Sequence, residues 1–160
     1  MLGENEISHA GETMKVTIAT LALALAPVSA LAEIVQVESA NDVTATADAL
    51  ASAVESAGAT VIARVDHGKG AMSVDADIGA SQLLIFGNPA IGTPAMEADR
   101  LAGLYLPLKV LVYEDRDGKT WLAYENPQGM FDGLNIDADA EFIGRMSGAL
   151  GNLTSKVAGN

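Results

Sequence analysis

The chain has 160 residues, about half of them hydrophobic, with 21 acidic against 9 basic side chains and no cysteine. That length suits one domain. A net charge of −12 argues against nucleic acid or anionic lipid as a partner, because phosphates require basic patches. The absence of cysteine excludes disulfides, thiolate metal centres and cysteine nucleophiles.

Met14 to Ala32 (MKVTIATLALALAPVSALA) reads as a signal peptide. Lys15 supplies the positive start, Val16 to Ala26 the apolar core, Pro27 the break and Ala30-Leu31-Ala32 the cleavage site. The apolar run is shorter than the roughly 20 residues of a membrane span. The preceding MLGENEISHAGET is acidic and polar, unlike the start of a signal peptide, so Met14 is the expected translation start. Residues 33–160 are then expected to form a single periplasmic or secreted domain that leaves the membrane after cleavage.

EIVQVE, from Glu33 to Glu38, alternates apolar and polar and predicts a short edge strand. Ser39, Asn41 and Asp42 offer caps for a helix over Asp42 to Ala57, whose Val43, Ala47, Leu50 and Val54 recur at helical spacing. Gly58 stands where a C-terminal glycine cap belongs. Thr60 to His67 predicts the second strand, with His67 ending the row of Val61, Ala63 and Val65. The glycine-punctuated stretch after it predicts a loop, with one helical turn around Ala71 to Val74.

Leu83 to Phe86 is a continuous apolar run, as in a strand buried on both faces. Gly87-Asn88-Pro89 bends the chain. Thr93 and Pro94 suggest the cap and first residue of a short helix over Pro94 to Leu104, burying Met96, Leu101 and Leu104. Leu108 to Glu114 and Thr120 to Glu125 predict a hairpin around Asp115–Lys119. A final helix is expected from the spacing of Phe142 or Ile143, Met146, Leu150, Leu153 and Val157, capped by Asp137 or Asp139. The order β-α-β-β-(α)-β-β-α implies an α+β fold, an antiparallel sheet with helices on one face.

Several stretches together resemble the domain of unknown function 302 family: Asp66-His67, LIFGNPAIGTPAM (Leu84–Met96), LPLKVLVYED (Leu106–Asp115), Gly118, Trp121 and Tyr124-Glu125-Asn126-Pro127. The likeness covers about Val37 to Pro127 and is expected to extend to the last helix. It implies a curved antiparallel sheet of the TATA-binding-protein-like kind and a homodimer, and it brings no established activity. Tyr105 stands where many members of that family have an acidic residue, which puts a carboxylate partner for Lys109 in doubt.

For chemistry, His67 is the one histidine after the signal peptide, and a histidine can act as base, metal ligand or ligand-orienting donor. If the Gly87–Pro89 bend and a helix start at Thr93 met it, Asn88 and Thr93 would be polar handles. The amides of Ala95 and Met96 would then favour an anion. Lys109 and Tyr124, on paired strands, are further candidates for a ligand pocket; sheet-surface packing is the plainer reading. His67, Met72 and Met96 together form a soft ligand set suited to copper. Asp115-Arg116-Asp117-Gly118 resembles the start of a calcium loop but lacks its spacing, and reads as a turn. Asp75 with Asp77, and Asp137 and Asp139 with Glu141, are further acidic clusters, the last suited to a helix start. Ser73, Ser81 and Ser147 lie in no nucleophile-elbow context.

The expected function is a non-catalytic module that binds a small ligand or forms a homodimer. Copper handling through His67, Met72 and Met96 is the alternative, and an enzyme with His67 as general base the weaker one.

Overall fold

The computed structural model describes residues 33–159; the expected signal peptide and start at Met14 lie outside them. The fold is α+β, an open five-stranded antiparallel sheet with helices. Its strands are β1 (Ile34–Ser39), β2 (Thr60–Asp66), β3 (Ser81–Gly87), β4 (Leu108–Glu114) and β5 (Thr120–Glu125). They lie in the order β1-β5-β4-β3-β2, so β1 is an edge strand as its sequence suggests and β2 is the other edge.

Helices α1 (Val43–Ser56) and α5 (Glu141–Ala158) pack on each other across one face of the sheet. Asp42 caps α1, accepting from the Ala45 N–H at 2.8 Å. Gly58 follows at φ 77°, a left-handed turn that a side chain would strain. The core joins Val43, Leu50 and Val54 of α1 to Leu84, Phe86, Val110, Val112 and Leu122 of the sheet, with Ile143, Met146 and Leu150 of α5 closing it. Ile143 rather than Phe142 takes the deep position in α5; Phe142 is half-buried and stacks edge-on with Phe131.

The structure corrects the expected boundaries at four places. His67 does not end β2: it opens the short helix α2 (His67–Met72). Asp66 causes this by accepting from the Lys69 N–H at 2.8 Å, which turns the chain out of the sheet one residue early. The helix expected over Pro94–Leu104 is instead two pieces, α3 (Pro89–Ala98) and a 3-10 helix (Arg100–Leu104).

Asn88, not Thr93, caps α3, accepting from the Ala90 N–H at 2.9 Å with Pro89 at the first helical position. Pro94 therefore falls inside the helix and withholds the amide that would bond the Ala90 carbonyl. Asp99 is extended and breaks the two pieces apart; it accepts from the Leu101 and Asn135 amides. Those bonds hold its carboxyl below the usual range, the Asn135 contact most. Leu101 and Leu104 are exposed, while Ala95 and Ala102 take the buried side.

Ala140, not Asp137 or Asp139, precedes the first turn of α5, with no side-chain cap. Asp137 instead accepts from the Asp139 N–H at 3.0 Å, closing a local turn. A further short helix, α4 (Pro127–Met130), is capped by Asn126 and was not expected from the sequence.

Candidate functional site

The helix-covered face of the sheet opens at one end into a cavity of about 510 Å³. Its floor is Phe86 and Leu108, from the ends of β3 and β4, with Met146 and Leu153 of α5 behind them. Its outer wall is α3, through Ile91, Gly92 and Met96, with Leu106 beside it. Its rim includes Ile62, 58% exposed, and Pro107. Ile62 sits in a register irregularity between Val61 and Ala63, at which the β2–β3 pairing shifts by one residue. No charged side chain lines the cavity.

Three sequence-selected residues gather here: Asn88, Thr93 and Met96. Thr93 is a mid-helix residue rather than a cap, so the amides of Ala95 and Met96 lie inside α3 and are not presented to an anion. The Asn88 side chain accepts from Ala90 and donates one of its two N–H groups to the Gly58 carbonyl. Gly92 keeps the outer wall thin: a Cβ there would stand 3.6 Å from the Leu106 Cδ1.

The other candidates lie elsewhere. Asp66 pairs with Gln82 at one end of the β2–β3 ladder, and Thr60 with Gly87 at the other. His67 is therefore roughly 20 Å from the cavity, at about 3.3 Å per strand residue. It is exposed, as is Met72 at the end of α2. Met96 is at the opposite end, so the structure does not assemble the His67–Met72–Met96 copper set. Among the described residues no three His, Cys, Asp or Glu side chains cluster as a metal site.

Lys109 and Tyr124 sit on opposite faces of the sheet. Tyr124 is buried on the helix side opposite Val35. Lys109 pairs with Ile85 on the uncovered side, and its Nζ donates to the Tyr105 carbonyl at 3.1 Å. The Tyr105 main chain thus supplies an acceptor to that lysine.

The model of the family described as domain of unknown function DUF302 matches residues 35–153. The chain belongs to the DUF302 family. A crystal structure of an uncharacterized conserved DUF302 protein from Bacillus stearothermophilus shares the fold, with a TM-score of 0.71 at 18% identity. That likeness covers 78% of this chain and 97% of that one.

Curated relatives of this DUF302 chain include proteins named fluoride-specific ion channel FluC 1 in Brucella suis biovar 1 and Brucella abortus biovar 1. Each is 36% identical over 129 residues, which is 79% of this chain and 50% and 47% of theirs. The chain thus spans about half the length of the curated relatives it matches. No helix among the described residues is long and apolar enough to cross a membrane.

The DUF302 sheet leaves its second face uncovered by helix. Register places Val65, Leu83 and Leu111 in one row across β2, β3 and β4, beside the Tyr113–Trp121 pair of β4 and β5. Leu83, Ile85 and Leu111 remain half-buried there. The sequence reading looked for polar handles, and so it missed Ile62, Ile91, Leu106, Met146 and Leu153. These apolar residues look like ordinary core in a sequence. The one available signal was the pair Gly87 and Gly92, small residues flanking the bend.

Proposed function

We propose that this DUF302 domain is a non-catalytic binding module that takes a small apolar ligand in the cavity between α3, α5 and the ends of β3 and β4. The observation that carries the reading is the cavity itself: about 510 Å³, walled by apolar side chains, with no charged group. That volume lies in the range of small-molecule sites, which are mostly apolar with few polar groups. The site offers no base, nucleophile or metal-ligand set, which supports binding rather than turnover. Titration with the neutral probe N-phenyl-1-naphthylamine tests it. Saturable fluorescence enhancement is expected, lost at least tenfold in Gly92→Phe, whose ring fills the site. No saturable enhancement, or equal binding by a folded Gly92→Phe, contradicts the reading.

The uncovered sheet face supports a second element, self-association. Antiparallel sheets usually alternate apolar and polar when one face is solvated. β3 and β4 instead carry apolar residues on both faces: Leu84, Phe86, Val110 and Val112 inward, Leu83, Ile85 and Leu111 outward. A second copy laid on this face would complete that burial. Light scattering should give a dimer mass for the wild type and a monomer for Leu111→Glu; a wild-type monomer at all concentrations refutes it.

The Brucella relatives favour a third reading, coupling to a membrane transport protein, since proteins named as fluoride channels contain a region like this one in a chain about twice as long. Co-expression of this chain with the unmatched half of the Brucella suis protein tests it. Co-elution in detergent is expected, and separate elution counts against it.

A further inference from the structure

We infer that two copies of this chain stack their uncovered sheet faces about a two-fold axis running along the strands between β4 and β5, so that Lys109 of each copy meets Glu125 of the other. This deepens the self-association reading above and rests on it. Lys109 of β4 and Glu125 of β5 both point to the uncovered face, since Tyr124 beside Glu125 points to the helices. Leu111 pairs with Ala123, and the same register carried two residues further sets Lys109 level with Glu125. Both are half-buried, yet among the described residues no ion pair joins them. The Lys109 Nζ makes one bond, to the Tyr105 carbonyl, and an ammonium has three N–H groups to place. Whatever covers Leu83, Ile85 and Leu111 also takes these two charges out of water, which is costly unless each finds an opposite charge. The occupant must therefore bring a carboxylate to Lys109 and a cation to Glu125.

A second copy brings both. Two-fold symmetry makes every contact reciprocal. With the axis between β4 and β5, each β4 lies over the β5 of the second copy, and residues at equal height meet. Lys109 then meets Glu125, Leu111 meets the small Ala123, and Tyr113 meets Trp121, each twice. One strand further out β3 lies over β1, so Ile85 covers Ile34, which is 58% exposed in the single chain. An axis between β3 and β4 would instead set Lys109 over Ile85, with neither charge paired. Stacked sheets stand about 10 Å apart, a gap that a lysine and a glutamate side chain bridge together.

Light scattering on Lys109→Glu and Glu125→Lys, separately and mixed, tests the inference. Alone, each variant sets like charges against each other at both contacts and should self-associate roughly tenfold more weakly than the wild type, or less. Mixed in equal amounts, the two set opposite charges at both contacts and should recover the dimer mass. A Lys109–Glu125 pair confined to one copy predicts no such recovery. Carbodiimide coupling of wild-type copies, half of them isotope-labelled, gives a readout that does not depend on either variant folding. Peptides joined through Lys109 and Glu125 should carry one labelled and one unlabelled part. A dimeric wild type whose single variants stay dimeric, whose mixture stays monomeric, or whose coupled peptides never mix label overturns this docking and leaves self-association standing. A wild type that is monomeric at all concentrations removes both.

Discussion

Asn88 ties the start of α3 to the turn after α1, its Nδ2 donating to the Gly58 carbonyl at 3.2 Å. Its Oδ1 simultaneously accepts from the Ala90 N–H. One side chain thus caps the helix that walls the cavity and fixes where that helix stands on the core. Replacing it acts on stability and on the site together.

Asn88→Ala should cost about 1–2 kcal/mol, the usual loss for a helix cap plus one further hydrogen bond. Asn88→Ser should cost less, since its hydroxyl keeps a cap acceptor and loses only the donor to Gly58. Urea denaturation of both variants checks the order. Equal stability of wild type and Asn88→Ala would show that the cap carries no weight.

Gly68 and Gly70 lie in the same short helix and should respond oppositely to alanine. A Cβ on Gly68 would stand 2.7 Å from the Gly79 carbonyl oxygen, a backbone atom that cannot easily yield. Gly68→Ala should therefore destabilise by about 1–3 kcal/mol. A Cβ on Gly70 meets nothing within 4 Å. Gly70→Ala should stabilise by up to about 1 kcal/mol through helix propensity. Thermal melts of the pair give the comparison, and two shifts of the same sign would contradict it.

Asp115 supplies a pH signature. Its carboxylate accepts from the Lys119 N–H at 2.9 Å and from the Trp121 indole Nε1 at 2.7 Å. Those bonds hold its pKa below the ordinary 3.8, the Lys119 amide contributing most. A lowered folded-state value means the contribution to stability is present above 3.8 and lost as the pH falls through the folded value. Trp121 is the one tryptophan in the chain. Its emission should change with a midpoint below 3.8, and Asp115→Asn should abolish that step. A midpoint above 3.8, or an unchanged step in Asp115→Asn, would contradict the assignment.

Export is checked by the mature N-terminus. Expressed from Met14 in a bacterium with a signal peptidase, the protein should begin at Glu33, as N-terminal sequencing or intact mass would read. Recovery of uncleaved chain from the cytosol rules the signal reading out.

The order of elements along the chain and the two long helices were legible because periodicity reports burial, whereas the order of strands within the sheet was not. Val43, Leu50 and Val54 repeat at helical spacing; the run Leu83–Phe86 reads as buried on both faces, whereas only Leu84 and Phe86 enter the core and Leu83 and Ile85 stay half-buried on the uncovered face. Capping competition blurred the boundaries. Asn88 with Pro89 and Thr93 with Pro94 are two plausible helix starts, and the sequence cannot say which wins until the Gly58 carbonyl is placed beside Asn88. His67 drew attention for its chemistry, yet Asp66 caps it out of the sheet at the far end from the cavity. The cavity was legible only in part, through Asn88, Thr93 and Met96, because its apolar wall residues carry no signal distinguishing them from core.

The most direct test of the apolar site is a nitrogen–proton correlation spectrum of the domain titrated with N-phenyl-1-naphthylamine. The account predicts saturable shifts at Gly87, Gly92, Met96, Met146 and Leu153, with Gly68 and Lys69 at the other end of the sheet unmoved. Shifts centred on α2 or on the uncovered sheet face, or none at saturating probe, would contradict it.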